Sequence, residues 1–501
     1  MRPLPRRRPA LLALAMGGVS LVLVACGSQL NPETVNGSVQ SGGGDAASVA
    51  GGVAPPTSTD QTGVAPGDSS GVVPPTSALP EGGASATGVE AGTGRPAGGT
   101  VDGAAPEADG DGGPGPAPVK AGDCAGLQNQ VGITSDEIVI ANSVDISGPV
   151  PGLMRASQEA VQAYAAYFNA TSDLCGRKLR VLPLDSRTDG GADQVAYATA
   201  CAESFAAVGS MSAFDSGGSA TAERCGLPDL RAASASLERS SCSTCFGAFS
   251  LRANEFENAV PDFVQKNYPA GADRAAYLWI NVGVVPANAN YQIEAMEKRG
   301  INFVVERGID ISEFNYAPYV QALKDADVEY LQFLGSVQHA TRMVQAMDQG
   351  GYRPELVMMS QPMYEQTYIE QTGEAAEGTH VFVTHTPFFE ANTNPEIALY
   401  MQWLEAVRPG ALPTSYGLFS WSAARLFVET AVGLGGKLTR ESLVEAFADV
   451  RDWTANGAHA PQNVGAKRTA ECWRFIKVED GAWTAAGERR YTCSGTTVVN
   501  E

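Results

Sequence analysis

The stretch Ile138-Val139-Ile140-Ala141-Asn142-Ser143-Val144-Asp145-Ile146-Ser147-Gly148-Pro149 decides the fold. Ile138 to Val144 is an apolar run. A Ser-Gly-Pro turn closes it, and Val161, Tyr164, Ala165 and Phe168 then recur at i, i+3, i+4 and i+7. The order is strand, loop, amphipathic helix. The same alternation continues downstream. Leu179 to Leu184 reads as a strand, Ala192 to Phe205 as a helix, Ala206 to Gly209 as a short strand and Gly218 to Arg224 as a helix. Strands that alternate with helices predict a parallel sheet covered by helices.

A second series follows Arg252. Phe256 to Tyr268 reads as helix, Ala275 to Ile280 as strand and Ala287 to Arg299 as helix. Further strands are expected at Asn302 to Glu306, Tyr330 to Leu334, Leu356 to Met359 and His380 to Thr384. A helix carrying Ala340, Met343, Val344 and Met347 lies among them. Helices at Glu396 to Val407, Trp421 to Leu434 and Arg440 to Ala448 must pack on these two α/β units, and a hairpin-like stretch ends the chain near Cys472 to Thr492.

Upstream of this region the composition changes twice. Arg2, Arg6, Arg7 and Arg8 precede an apolar run from Ala10 to Ala25, which is shorter than the roughly 20 residues needed to span a bilayer. This is the pattern of an export signal at 1–25, and its ending, Leu23-Val24-Ala25-Cys26-Gly27, resembles the lipobox in which a bacterial lipoprotein is acylated on its cysteine. Residues 26–122 are rich in Gly, Pro, Ala, Ser and Thr and almost without aromatics. Such a segment buries no core and reads as a disordered tether with an r.m.s. span of about 50 to 60 Å. The implied location is the extracytoplasmic face of a membrane, held there by acyl chains on Cys26.

A formal net charge of -21 argues against a nucleic-acid partner, because phosphate binding needs a basic surface. Nine cysteines less Cys26 leave an even set, as a disulfide-bonded exported domain would have. Eight thiols permit about a hundred pairings. Local spacing suggests Cys242 with Cys245, Cys472 with Cys493, Cys201 with Cys225, and Cys124 with Cys175. No second Cys-x-x-Cys exists and the four His residues are scattered, so a zinc site is the weaker reading and no metal or cofactor is expected.

The segments Asp145 to Pro149, Cys175 to Leu179 with Asp185, Val208 to Ser212, Gly226-Leu227-Pro228 with Ser234-Ala235-Ser236, Phe314 to Leu323 and Val328 to Phe333 with Gly350-Gly351 occur in an order that resembles the type I periplasmic binding proteins, in their leucine/isoleucine/valine-binding branch. The resemblance spans nearly all of Ile133 to Cys493. It implies an α/β protein of two Rossmann-like lobes, 123–252 plus 387–455 and 253–386 plus 456–501. Three crossovers would join them near Leu251 to Glu255, Thr384 to Phe388 and Asn456 to Lys467. It also implies a ligand in the interlobe cleft, hinge closure, and delivery by a monomer to the permease of an ABC importer.

Carried over residue by residue, the resemblance sets Ser212, Ser234 and Ser236 where relatives bind a ligand carboxylate, with helix N-terminal amides assisting. Ser234 and Ser236 read equally well as helix caps. Ser147 and Gly148 would allow backbone to approach the ligand, although a Ser-Gly-Pro turn is also ordinary loop chemistry. In the second lobe Ser336, Val337 and Gln338 stand where relatives present an aromatic. Gln361 and Pro362, beside Met363 and Tyr364, stand where relatives place an acid for the ligand ammonium. An amide carries no charge, so the expected ligand is a small carboxylate, amide or other polar solute lacking an α-ammonium. Trp421 and Phe419 are helical aromatics, more often core than cleft lining.

A sensor or envelope-interaction protein on the same fold is the competing reading. An enzyme is not expected: from Cys124 onward there is no Gly-x-Ser-x-Gly elbow, no Gly-x-x-x-x-Gly-Lys loop and no His-Glu-x-x-His. Asp215 and Asp229 find no partner in the sequence and read as solvated loop acids. One consequence is directly measurable. Cys26→Ala should move the protein from the membrane to the soluble fraction without altering its unfolding midpoint, and a variant that still pellets with membranes contradicts the lipobox.

Overall fold

The computed structural model describes residues 122–500. The expected export signal, Cys26 and all but the last residue of the expected tether lie outside the described residues. The first sheet is wholly parallel, in the order β2-β1-β3-β4-β5, from β1 (Glu137–Val144), β2 (Lys178–Asp185), β3 (Ala206–Val208), β4 (Asp229–Ala233) and β5 (Cys245–Phe249). After its first residue β1 is buried throughout. That explains an apolar run rather than an alternating one, since helices cover both faces of a parallel sheet. On one face the helix Arg155–Thr171 buries Val161, Tyr164, Ala165 and Phe168 against the helices Pro395–Val407 and Ser415–Leu434. Trp421 and Phe419 are fully buried, and the Tyr164 ring meets Trp421 edge-on at 4.8 Å.

The second sheet has the order β13-β12-β11-β10-β9-β7-β8, with β14 also on β12. Its strands β7 (Ala275–Asn281), β8 (Phe303–Asp310), β9 (Tyr330–Leu334), β10 (Leu356–Met359) and β11 (Thr379–Val383) are parallel. The antiparallel strands β12 (Cys472–Glu479) and β13 (Ala482–Ala485) extend it, and β14 (Thr492–Cys493) pairs with β12. One expected element differs. Phe256 to Tyr268 is not one helix but β6 (Glu255–Glu257) followed by a helix at Ala259–Asn267, because β6 pairs with β15 (Thr496–Val498) at the far end of the chain. Cysteines join as 124–175, 201–225, 242–245 and 472–493. Among the described residues no helix is long and apolar enough to cross a membrane.

The chain passes between the sheets after Phe249, after Val383 and after Ala448. These three passages are hydrogen-bonded side by side. The Ser250 amide donates to Gln462 Oε1 at 2.9 Å, the Gln462 amide group donates to Thr384 Oγ1 at 3.3 Å, and the Ala460 amide donates to the Thr384 carbonyl at 2.8 Å.

Asp229 and Asp215 are not solvated loop acids; both are fully buried. Arg239, also without exposure, donates to Asp229 Oδ2 at 2.8 Å, to Asp193 Oδ2 at 3.2 Å and to the Asp215 carbonyl at 2.8 Å. Tyr197 donates to Asp229 Oδ1 at 2.9 Å. Burial pushes the Asp193 carboxyl up to about 6, against the opposing pull of Arg239 and Arg231. One guanidinium thus neutralises acids from a helix and a strand that are far apart in sequence. Removing one partner of such a buried set strands the rest without counter-charge. Arg239→Met should cost about 3 to 5 kcal/mol of stability, read as a lower denaturant midpoint at unchanged slope.

Candidate functional site

Strand order reverses between β1 and β3, and the carboxyl ends of strands at such a switch point frame a crevice. A cavity of about 540 Å³ lies there, between the two lobes. The first lobe contributes Leu153 and Met154 after β1, Met211 and Ser212 after β3, and Ala235 after β4. The second contributes Val282 after β7, Leu334 to His339 at the end of β9, and Ser360 to Met363 after β10. Phe249, Leu251, Phe382 and Trp473 close the side toward the crossovers. The lining is chiefly apolar, as small-molecule clefts usually are.

The lobes touch across this crevice. The Val284 amide donates to the Ala213 carbonyl at 3.0 Å, and Asn288 Nδ2 donates to the Ala235 carbonyl at 3.1 Å. Gly283 makes the first contact feasible: its φ is 50°, and a Cβ there would stand 1.9 Å from the Ala213 carbonyl oxygen.

The expected site residues divide into two groups. Ser212, Ser336 and Gln361 border the cavity, whereas Ser147, Gly148, Ser234, Ser236 and Tyr364 do not. Gln361 is buried; its Oε1 accepts the Thr384 amide at 2.8 Å, and its Nε2 has no partner. Ser336 pairs with His339 Nδ1 at 2.6 Å, and the other ring nitrogen faces the Ile311 carbonyl at 3.1 Å. Burial lowers the His339 pKa. Ser147 donates to Asp185 Oδ2 at 2.6 Å. Gly148, at φ 107°, approaches Arg187, whose carbonyl oxygen a Cβ would meet at 2.2 Å. Ser236 caps the helix Leu237–Ser241, accepting the Arg239 amide at 3.2 Å. Ser234 is buried with an unpartnered hydroxyl. Tyr364 stacks on Phe388 and accepts its amide at 2.7 Å, beneath the second crossover.

In the first lobe the donors that would greet a ligand carboxylate are already engaged. Ser212 donates to Asp145 Oδ1 at 3.0 Å, the Ala213 amide to Asp145 Oδ2 at 2.8 Å, and the Ala235 amide to Asp215 Oδ2 at 2.7 Å. Two protein carboxylates thus occupy the donors that line this wall. No group of three or more His, Cys, Asp or Glu side chains among the described residues is placed to hold a metal ion.

The sequence model of a family described as periplasmic binding protein matches residues 137–482. The chain belongs to the periplasmic binding protein family. Solved structures agree on the fold. A fatty acid ABC transporter substrate-binding protein from Thermomonospora curvata superposes with a TM-score of 0.62 at 16% identity, over 74% of this chain and 95% of its own. LivJ of Streptococcus pneumoniae, a branched-chain amino acid transporter substrate-binding protein solved with isoleucine, gives 0.60 at 12% identity, over 72% and 100%. The leucine-binding protein LivK of Thermotoga maritima gives 0.58 at 16%, over 70% and 98%. No curated protein matches the sequence.

Against the family pattern, the residue that sequence reasoning missed is Glu257. It lines the cavity from β6, is 2% exposed, and its Oε1 has no hydrogen-bond partner. Read as the first turn of a helix it would be a solvated acid. Only the pairing of β6 with β15 turns it inward. Burial raises its pKa well above the usual carboxylate range. The folded protein therefore keeps a proton on Glu257 at pH values where the unfolded chain has lost it, so this group's contribution to stability falls as pH rises above the ordinary Glu pKa. Glu257→Gln should raise the thermal midpoint relative to wild type near about pH 8 and leave it almost unchanged near about pH 4. A gain that does not depend on pH would contradict the buried neutral acid.

Proposed function

We propose that this chain is a lipid-anchored, extracytoplasmic solute-binding protein that captures a small solute with a largely apolar body in its interlobe cleft and presents it to an ABC importer. The observation that carries this reading is the cavity at the switch point, lined by both lobes and backed by three crossovers. Membership of the periplasmic binding protein family supports it, as does likeness to substrate-binding proteins of amino-acid and fatty-acid transporters. A set of passages between lobes lets them rotate as bodies while the strands stay intact. Closure in this chain is the meeting of Val284 with Ala213 and of Asn288 with Ala235. Solute held between those contacts is removed from water on both sides, and the joined lobes form the surface that a permease reads.

The test follows from Gly283. Gly283→Val puts branched carbon where only 1.9 Å separates a Cβ from the Ala213 oxygen, so the lobes should stay apart. Small-angle scattering should show a larger radius of gyration. Native mass spectrometry should show that the small molecule carried by the wild-type protein is lost from the variant. A variant that scatters like wild type and keeps its cargo contradicts closure at this contact.

A further inference from the structure

We propose that Glu257 is the group that recognises the solute, and that the solute is an apolar molecule bearing a primary ammonium and no adjoining carboxylate. This rests on the reading of the cavity as a solute site and names what the site selects.

Two sides of the cavity have opposite polar character. On the first-lobe side the hydroxyl of Ser212 and the amides of Ala213 and Ala235 are committed to Asp145 and Asp215. A ligand carboxylate would find no free donor there and two buried carboxylates behind the wall. On the second-lobe side two unpartnered acceptors stand on neighbouring elements. Glu257 Oε1 and Asn288 Oδ1 both lack partners, both residues line the cavity, and the helix Val285–Glu297 that carries Asn288 packs on β6, which carries Glu257. Asn288 is oriented by its bond to the Ala235 carbonyl, so its oxygen is the atom left over. Gln292, one turn further on the same helix and also in the lining, is turned to Tyr277, whose hydroxyl donates to its Oε1 at 2.5 Å.

Counting charges sharpens the choice. Arg155 is the only Arg or Lys among the described lining residues, and it is solvent-exposed. His339 has both ring nitrogens engaged. Glu255 is bound by Arg468, Glu159 by Arg408, and Glu365 accepts the Thr367 hydroxyl, while among the described residues no cation lies within ion-pair distance of Glu257. An ammonium is three donors and no acceptor. It suits unpartnered acceptors, and its positive charge lets Glu257, neutral in the empty cavity, give its proton to solvent and pair with it as a carboxylate on binding. Elsewhere Leu153, Met211, Val282, Leu334, Met363 and Trp473 give the solute apolar contact, and Ser360 and Gln361, after β10, add an unpartnered hydroxyl and an unpartnered side-chain amide nitrogen.

The experiment keeps one apolar chain and changes its head. Hexylamine, hexanoate and hexanol are titrated calorimetrically into the full-length lipoprotein in detergent at about pH 7, with wild type, Glu257→Gln and Glu257→Asp. Unfolding midpoints check that each variant folds. Hexylamine should bind wild type at least about tenfold tighter than hexanol, with no measurable hexanoate binding. Glu257→Gln should remove that preference while leaving hexanol affinity unchanged, and Glu257→Asp should retain part of it. Hexanoate binding as well as hexylamine, or hexylamine affinity indifferent to Glu257→Gln, overturns the role of Glu257 and leaves the cavity as a solute site. Failure of all three probes to bind wild type overturns both readings.

Discussion

A single side-chain amide sets how the two lobes face each other. Gln462, on the third crossover, accepts the Ser250 amide of the first and donates to the Thr384 hydroxyl of the second, and it is fully buried. The Thr384 hydroxyl passes on to the Cys472 carbonyl at the start of β12, and the Ala470 amide returns to the Ser250 carbonyl. Three strands that would each be a flexible linker thereby become one hydrogen-bonded ribbon. A buried amide of this kind is worth its pairing only when every partner is present, because each orphaned group costs about 1 to 3 kcal/mol. The ribbon therefore behaves as a unit, and the relative motion left to the lobes is bending about it.

Gln361 ties the cavity to that ribbon. Its Oε1 holds the Thr384 amide, its carbonyl accepts from Ser415, and Ser415 in turn pairs with His385 Nε2 across the second crossover. Burial drives the His385 and His459 pKa values down to about 4, so neither ring carries charge in this hinge near neutrality. The two rings thus leave the Gln361–Ser415–His385 layer neutral, and the charges near the crossovers are paired: Glu255 with Arg468 and Glu390 with Arg474. Further buried charge lies in the Arg239 set inside the first lobe.

Much of this was legible from local sequence. The strands Tyr330–Leu334 and Leu356–Met359 are where apolar runs put them, and Val161, Tyr164, Ala165 and Phe168 face the core as their spacing requires. What local pattern cannot carry is partnership over distance. Asp229 looks unpaired until Arg239 folds back on it, and Glu257 looks solvated until residues more than two hundred positions downstream pair with its strand. The same limit applies to the serines. Ser212 and Ser236 sit on the loops that the family resemblance indicates, yet whether a hydroxyl faces a ligand or a neighbouring carboxylate depends on Asp145 and on the cap of a five-residue helix. Loop position follows from sequence order; hydrogen-bond allegiance follows from three-dimensional competition among donors.

That competition also bears on selectivity. An apolar cavity of this size gains affinity from any hydrocarbon of fitting shape, at about 25 cal/mol for each Å² removed from water, so the apolar walls discriminate weakly. Discrimination comes from the groups whose needs a wrong solute leaves unmet. A carboxylate entering the first-lobe wall would have to compete with Asp145 and Asp215 for donors already held at 2.7 to 3.0 Å. It would lose its hydration without replacing it. On the opposite wall Glu257 is buried without a counter-charge whether or not anything binds, and it stays neutral in the empty cavity. A cationic solute supplies the charge that lets it ionise in place, and an anionic one does not. The energetic gap between the two is set by the empty protein, through the placement of β6 against β15, before any contact with solute is made.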